Sequence, residues 1–191
     1  MSRLPLHTSE SAPEASRALV RRTAETNGFL PNLIGVLAGA PAALQAYLTL
    51  GELNAGTSLS FAEREAVQLT AARLNGCEFC AAGHASVSLK RAGLSAATVR
   101  ALQQGTPTGD ARLDAAAAFS AALIGARGDV ADAELDAFRR AGFDDRQALE
   151  VVLGVALATL CNYANVLARS PVNAELDAFR PNRLAALAEV R

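Results

Sequence analysis

SFAEREAVQLTAARLNGCEFCAAGHASVSLKRAG, residues 60–93, reads as two helices joined by a break of two residues. Ser60 followed three positions later by Glu63 is a capping box: the hydroxyl takes the backbone N–H of the third helical residue and the carboxylate reaches back to the cap. Leu59 stands just ahead of it as a hydrophobic staple. A helix is therefore expected over Phe61 to Leu74, ended by Asn75-Gly76. The next helix starts at Cys77, runs to about Arg91 and is stopped by Gly93. So tight a link folds the two helices against each other.

Outward from this pair the chain keeps the same grammar. PEASRALVRRTAETNG carries helical periodicity and stops at Asn27-Gly28. FLPNLIGVLAGA forms a short apolar helix behind Pro31, and Pro41 suits the first turn of the next, PAALQAYLTLGELNAG, where a missing N–H leaves no bond unmade. Ser95 caps a helix through Gln104, GTPTGD is a loop, and further helices follow near 110–126, 131–140 and 145–168, the last opened by Asp144-Asp145 and closed before Ser170-Pro171. One or two short helices occupy the tail. No segment shows sustained strand alternation. Residues 1–12 read as a flexible arm and 13–191 as one all-α domain, a multi-helix bundle. AELDAFR occurs at 133–139 and again at 174–180, with nothing around it repeating, so it marks local amphipathic similarity and not a duplicated unit.

Composition supports helix. The chain has 191 residues, 51% of them hydrophobic, with 43 alanines, no tryptophan and two tyrosines; alanine is the best helix former, whereas β-branched and aromatic residues build strands. Eighteen bases against nineteen acids leave a net charge of −1. The arginines are scattered and Lys90 is the one lysine, so no basic footprint for nucleic acid is present. The start lacks an apolar run of signal-peptide length, and no stretch is read as a bilayer span. The expected location is cytoplasmic, with neither membrane nor nucleic acid as partner.

The scarce residues carry the functional reading. Three cysteines and two histidines are present, and Cys77, Cys80 and His84 fall within eight positions. On a helix, positions i, i+3 and i+7 lie within roughly 60° of one another, so the three form a line on one face. The helix N-terminus lowers cysteine pKa, and both thiols are expected to gain from it. A disulfide needs Cβ atoms about 3.8 Å apart, closer than helical i,i+3 neighbours stand, but a first cysteine at a frayed end can rotate inward. His84, one turn past Cys80, is spaced to exchange a proton with it. In the preceding helix Glu65 shares its face with Phe61, Leu69 and Ala72, where a carboxylate needs a partner; His84 is the one offered. Glu63 and Arg64 are read as a cap and a surface charge. The candidate constellation is Glu65, His84 and Cys80 as a proton relay with Cys77 as second thiol.

Zinc is the rival reading of C-x-x-C, with His84 and Cys161 completing four ligands. Yet Cys77 and His84 stand about 10 Å apart along a continuous helix, near the limit that two side chains and two metal bonds can span. Neither metal nor cofactor is expected. Cys161 is read as a core residue of the long helix. Asn162 and Asn165, polar in an apolar helix, line either the same pocket or an oligomer contact.

The arrangement Glu65-x11-Cys77-x2-Cys80-x3-His84 resembles the signature of the alkyl hydroperoxidase D-like (AhpD-like) proteins, in the carboxymuconolactone decarboxylase superfamily, and most of all its peroxidase-related branch. ALATLCNYANVLA, ahead of a Pro-containing turn, is similar to that branch's asparagine-containing segment. The resemblance spans roughly residues 25–180. It implies an all-helical fold, protomers assembled as trimers or hexamers, and thiol peroxidase chemistry on hydroperoxides with Cys80 peroxidatic, Cys77 resolving and an external dithiol, of protein or lipoyl type, as reductant. Phe79 replaces the histidine that precedes the second cysteine in the enzyme naming the family, which removes one proton donor. The superfamily's lactone decarboxylases lack the paired cysteines. The alternatives are a proton-transfer enzyme using Glu65 and His84 alone, and a redox-sensing or zinc-binding module without catalysis.

Overall fold

The hydroxyl of Ser60 accepts the N–H of Glu63 at 3.2 Å while the Glu63 carboxylate takes the Ser60 N–H at 2.7 Å, so the capping box opens α4 (Phe61–Leu74) as its sequence requires. The computed structural model describes residues 2–187; Met1 of the expected arm and residues 188–191 of the expected domain lie outside that range. Before α4 come α1 (Glu14–Asn27), α2 (Asn32–Leu37) and α3 (Pro41–Ala55), the last with its proline in the first turn. After it come α5 (Glu78–Lys90), α6 (Ala96–Gln104), α7 (Ala111–Ala126), α8 (Asp132–Arg140), α9 (Asp145–Ala168), a 3-10 helix (Ala174–Phe179) and α10 (Pro181–Leu187). The fold is all-α, with no strand among the described residues.

α4 is the central element. Nine of its residues, from Glu63 to Ala72, are buried, and α5, α6, α7 and α9 pack around it. A helix enclosed on most sides needs no polar stripe. Three of its buried polar side chains are answered from other helices: Glu63 receives the Arg112 guanidinium at 2.6 Å, Gln68 donates to the Gly154 carbonyl at 2.9 Å, and Glu65 meets α5. The Gly154 crossing is close enough that a Cβ there would lie 3.0 Å from Val67 Cγ1. Small residues of this kind let helices approach within backbone distance.

Two apolar clusters fill the interior. One gathers Val20, Ile34 and Leu44 from α1–α3 with Phe79, Cys80 and Cys161. The other gathers Leu69, Val99, Leu102, Phe138 and Val151, with Phe119, Phe138 and Phe143 stacked at 4.4 and 4.2 Å between ring centres. The thiols therefore sit in the first cluster, where α5 begins beneath α9.

α9 corrects one expectation. Residues 151–168 run without a charge, so by length and hydropathy α9 could cross a membrane. In the fold one side of it, with Val151, Ala158, Asn162, Asn165 and Ala168, is buried in the core. Ahead of α1, the segment expected as an arm makes backbone contacts: the Arg3 N–H donates to the last α9 carbonyl, Ala168, at 2.6 Å, and the His7 N–H to Gly35 at 3.0 Å. The first contact answers a carbonyl that a helix C-terminus leaves unpaired. The two AELDAFR copies take different forms, an α-helix in α8 and a 3-10 helix near the tail.

Candidate functional site

Gly76, with φ +64°, turns the chain between α4 and α5 through a left-handed conformation that suits a residue without Cβ. That turn lays α5 along α4 and brings His84 to Glu65: the imidazole Nδ1–H donates to Glu65 Oε2 at 2.9 Å. Glu65 is 5% exposed and the His84 side chain 30%. The Ser88 hydroxyl also donates to Glu65 Oε2, at 3.4 Å. Ser88 was not singled out in the sequence, although it lies one turn beyond His84 on the same face. Burial draws His84 toward neutrality, but the charge and hydrogen bond of Glu65, helped by Cys80, outweigh it and carry the imidazole pKa above its ordinary range.

Cys77 is the N-cap of α5 and not its first residue. Its backbone is extended, at φ −94° and ψ 92°, and its Sγ accepts the Cys80 N–H at 3.3 Å. Both sulfurs are buried and free. The helix N-terminus does not favour both thiols alike, contrary to expectation. Cys77 donates its S–H toward Cys80, which together with burial holds its pKa far above the normal thiol range. Cys80 is brought down to about 7, first by that same hydrogen bond, then, against its burial, by the Asn165 amide, the His84 charge and Asn162. The two sulfurs titrate as a pair, with Cys80 the more acidic member.

α9 supplies the remaining wall. Asn165 Nδ2 donates to Cys80 Sγ at 3.3 Å, and Asn162 Oδ1 accepts from Asn75 Nδ2 at 3.0 Å, tying α9 to the α4–α5 turn. Both asparagines are almost fully buried. Of the two sequence readings for them, the site and not an outer contact is where they lie. Cys161, buried beside them, is held protonated by burial and by the Cys80 charge. No hydrogen bond joins His84 to Cys80 among the described side chains; the imidazole acts on the sulfur through charge. A depression of about 300 Å³ opens beside Cys77, walled in part by Phe79, Asn165, Arg169 and Arg180; Cys80 is buried and reaches its wall through the Asn165 hydrogen bond. Among the described residues no group of three or more His, Cys, Asp or Glu side chains is arranged to hold a metal ion.

This geometry can stabilise a sulfur anion, hold a proton on a neighbouring imidazole and present a second thiol to the first. Comparison with known proteins bears on the fold that holds it. The carboxymuconolactone decarboxylase family matches residues 41–124, a span that contains Glu65, Cys77, Cys80 and His84. No curated protein matches the chain at a significant level. Among solved structures, an uncharacterized peroxidase-related protein from Ralstonia eutropha with the alkylhydroperoxidase AhpD core is similar at TM-score 0.81 and 21% identity, over 93% of this chain and 95% of that one. An uncharacterized peroxidase-related protein from Silicibacter sp. is similar at TM-score 0.77 and 21% identity, over 91% and 92% of the two chains. The debrominase Bmp8, in complex with 2,3,4-tribromopyrrole, is similar at TM-score 0.74 and 20% identity, over 98% and 96%. Residues 41–124 are thus similar to the carboxymuconolactone decarboxylase family, and the chain as a whole carries the all-helical fold of the AhpD-core structures.

Proposed function

We propose that the protein is a thiol-dependent peroxidase that reduces hydroperoxides through Cys80. The observation that carries the reading is the setting of Cys80: its N–H donates to Cys77 Sγ at 3.3 Å, Asn165 Nδ2 donates to its sulfur at 3.3 Å, and Glu65 holds His84 nearby at 2.9 Å, an arrangement that makes Cys80 the more acidic of the two thiols. A nucleophile needs a pKa near the working pH, and a resolving thiol needs to stand beside it.

In the reaction, His84 holds the proton given up by Cys80, steadied by Glu65 at 2.9 Å. The Cys80 thiolate attacks the distal oxygen of ROOH; the S–O bond forms, the O–O bond breaks, and the departing RO⁻ takes the His84 proton. Cys80 is now a sulfenic acid. The negative charge that raised Cys77 is gone, so Cys77 sulfur attacks Cys80 sulfur, an S–S bond forms, and hydroxide leaves with the Cys77 proton as water. An external dithiol reduces the disulfide by exchange. No metal or cofactor is required by these steps, and assembly of the protomer into trimers or hexamers is part of the same reading.

A proton transfer on Glu65 and His84 alone, as the family's decarboxylase name suggests, would proceed with the thiols blocked. The test is hydroperoxide turnover with a dithiol reductant. Cys80→Ser is expected to abolish it, and Cys77→Ser to leave one sulfenic acid per chain after one equivalent of peroxide, seen by mass spectrometry. Full turnover in Cys80→Ser would overturn the reading.

A further inference from the structure

The Asn165 side chain is half used. Its Nδ2 donates to Cys80 Sγ at 3.3 Å, but its Oδ1 is buried with no hydrogen-bond partner among the described residues. Asn165 is 2% exposed and forms part of the wall of the cavity beside Cys77. A buried carbonyl left unpaired is costly, and native structures seldom keep one without a reason. The amide is turned with Nδ2 toward the sulfur and Oδ1 away from it. Asn162 is in a different position, since its own Oδ1 is taken by Asn75.

The geometry points to Asn165 as the cradle of the transferred oxygen: Oδ1 accepts the O–H of the hydroperoxide as Cys80 attacks it, and keeps the same hydrogen bond to the sulfenic acid that results. The inference rests on the peroxidase reading above and extends it to a residue 85 positions away from the nucleophile. Attack occurs at the oxygen that bears hydrogen. That oxygen is transferred to sulfur with its hydrogen attached, while the O–O electron pair leaves with RO⁻, which is protonated by His84. The group that pairs with Oδ1 is thus supplied by the substrate and retained on Cys80. Nδ2, on the other side of the amide, holds the sulfur and then the sulfur-bound oxygen. When Cys77 displaces that oxygen, the amide holds the departing hydroxide. The substrate class follows from this: a hydroperoxide, organic or hydrogen peroxide, with a free O–H on the oxygen that is attacked.

The experiment separates this from a purely electrostatic role. In the Cys77→Ser background, where the sulfenic acid accumulates, Asn165→Leu and Asn165→Ser are compared with Asn165 for two reactions of Cys80: oxidation by hydrogen peroxide and alkylation by iodoacetamide, both followed at a pH where every Cys80 is a thiolate. Iodoacetamide brings no O–H to its reacting carbon. Peroxide oxidation is expected to fall by roughly tenfold or more, as when one donor or acceptor to a reacting oxygen is lost, and alkylation by no more than about threefold. Serine is included because it keeps a small polar side chain should the leucine fail to fold. Equal losses in both reactions, or none, would show that Asn165 serves only the resting thiolate and would overturn the inference while leaving the peroxidase reading intact. A Cys80 with Asn165 in place that alkylates but does not react with peroxide would overturn both.

Discussion

Glu65 on α4 and His84 on α5 meet at 2.9 Å across the Gly76 turn, and this contact reaches Cys80 without touching it. The carboxylate raises the imidazole pKa, the imidazolium lies near the sulfur, and the sulfur pKa falls. Each link is electrostatic, so each has a sign. Removing the carboxylate lets burial win at His84, the imidazole loses its proton at a lower pH, and Cys80 loses a positive neighbour.

Glu65→Gln is therefore expected to move the Cys80 midpoint upward from about 7, by about one pH unit, with a roughly fivefold loss of iodoacetamide reactivity at pH 7. His84→Ala is expected to shift it in the same direction, and the double variant no further than the larger single one, because the two residues act in series. The measurement is the pH dependence of thiolate absorbance in each variant. An unchanged midpoint in Glu65→Gln would remove the relay from the mechanism.

The unequal thiols predict which one an electrophile finds. The thiolate is the reactive form, so Cys80 alkylation rises with pH, by about tenfold per unit well below its midpoint, and levels off above pH 7 to 8. Cys77 stays protonated throughout that window. Limited iodoacetamide at pH 7 followed by peptide mapping is expected to label Cys80 and spare Cys77 and Cys161. Cys77→Ser keeps a donor to the sulfur and is expected to move the midpoint little, whereas Cys77→Ala, which removes the largest stabilising contact, moves it up.

Much of this fold is written in local signals. Ser60 with Glu63, Pro41, Ser95 and the Asn75-Gly76 break act within one helical turn, and each marks an element boundary to within a residue or two. The line of Cys77, Cys80 and His84 is also local, being a matter of spacing. What spacing does not reveal is which thiol donates to the other, because that depends on the extended backbone of Cys77 at the cap. Nor does it reveal Asn165, whose contact with Cys80 exists only once α9 has packed. AELDAFR makes the same point: the second copy lies between Pro171 and Pro181, and Arg180, held extended at ψ 146° ahead of proline, ends it as a 3-10 helix. The uncharged run 151–168 owes its composition to two faces, one in the core and one outside.

That outer face carries the next prediction. Leu149, Tyr163 and Leu167 are 71%, 61% and 61% exposed, with Val152 and Val166 alongside them, all on α9 and turned away from its buried side. An apolar stripe of this kind is expected to be covered by a second copy of the chain. The protomer is 19.7 kDa, and light scattering is expected to give three or six times that mass. Tyr163→Glu combined with Leu167→Glu is expected to lower the mass toward one protomer, because a charge on each side of the contact cannot be buried unpaired. A monomeric parent protein would contradict the expectation outright.

The α4–α9 crossing can be tested at Gly154. Alanine there adds the atom that would lie 3.0 Å from Val67 Cγ1, and valine adds more, so the helices must part. Overpacking of this kind costs about 1–3 kcal/mol. Gly154→Val is expected to lower the urea midpoint without changing the slope, the mark of altered stability with the same surface exposed. The site should respond too, because α4 carries Glu65 and α9 carries Asn165: widening the crossing lengthens the Asn165 contact to Cys80 and raises the thiol midpoint. Loss of stability with an unmoved midpoint would mean that α9 holds Asn165 in place through Asn162 and Asn75 alone, and Asn75→Ala would then be the variant that shifts it.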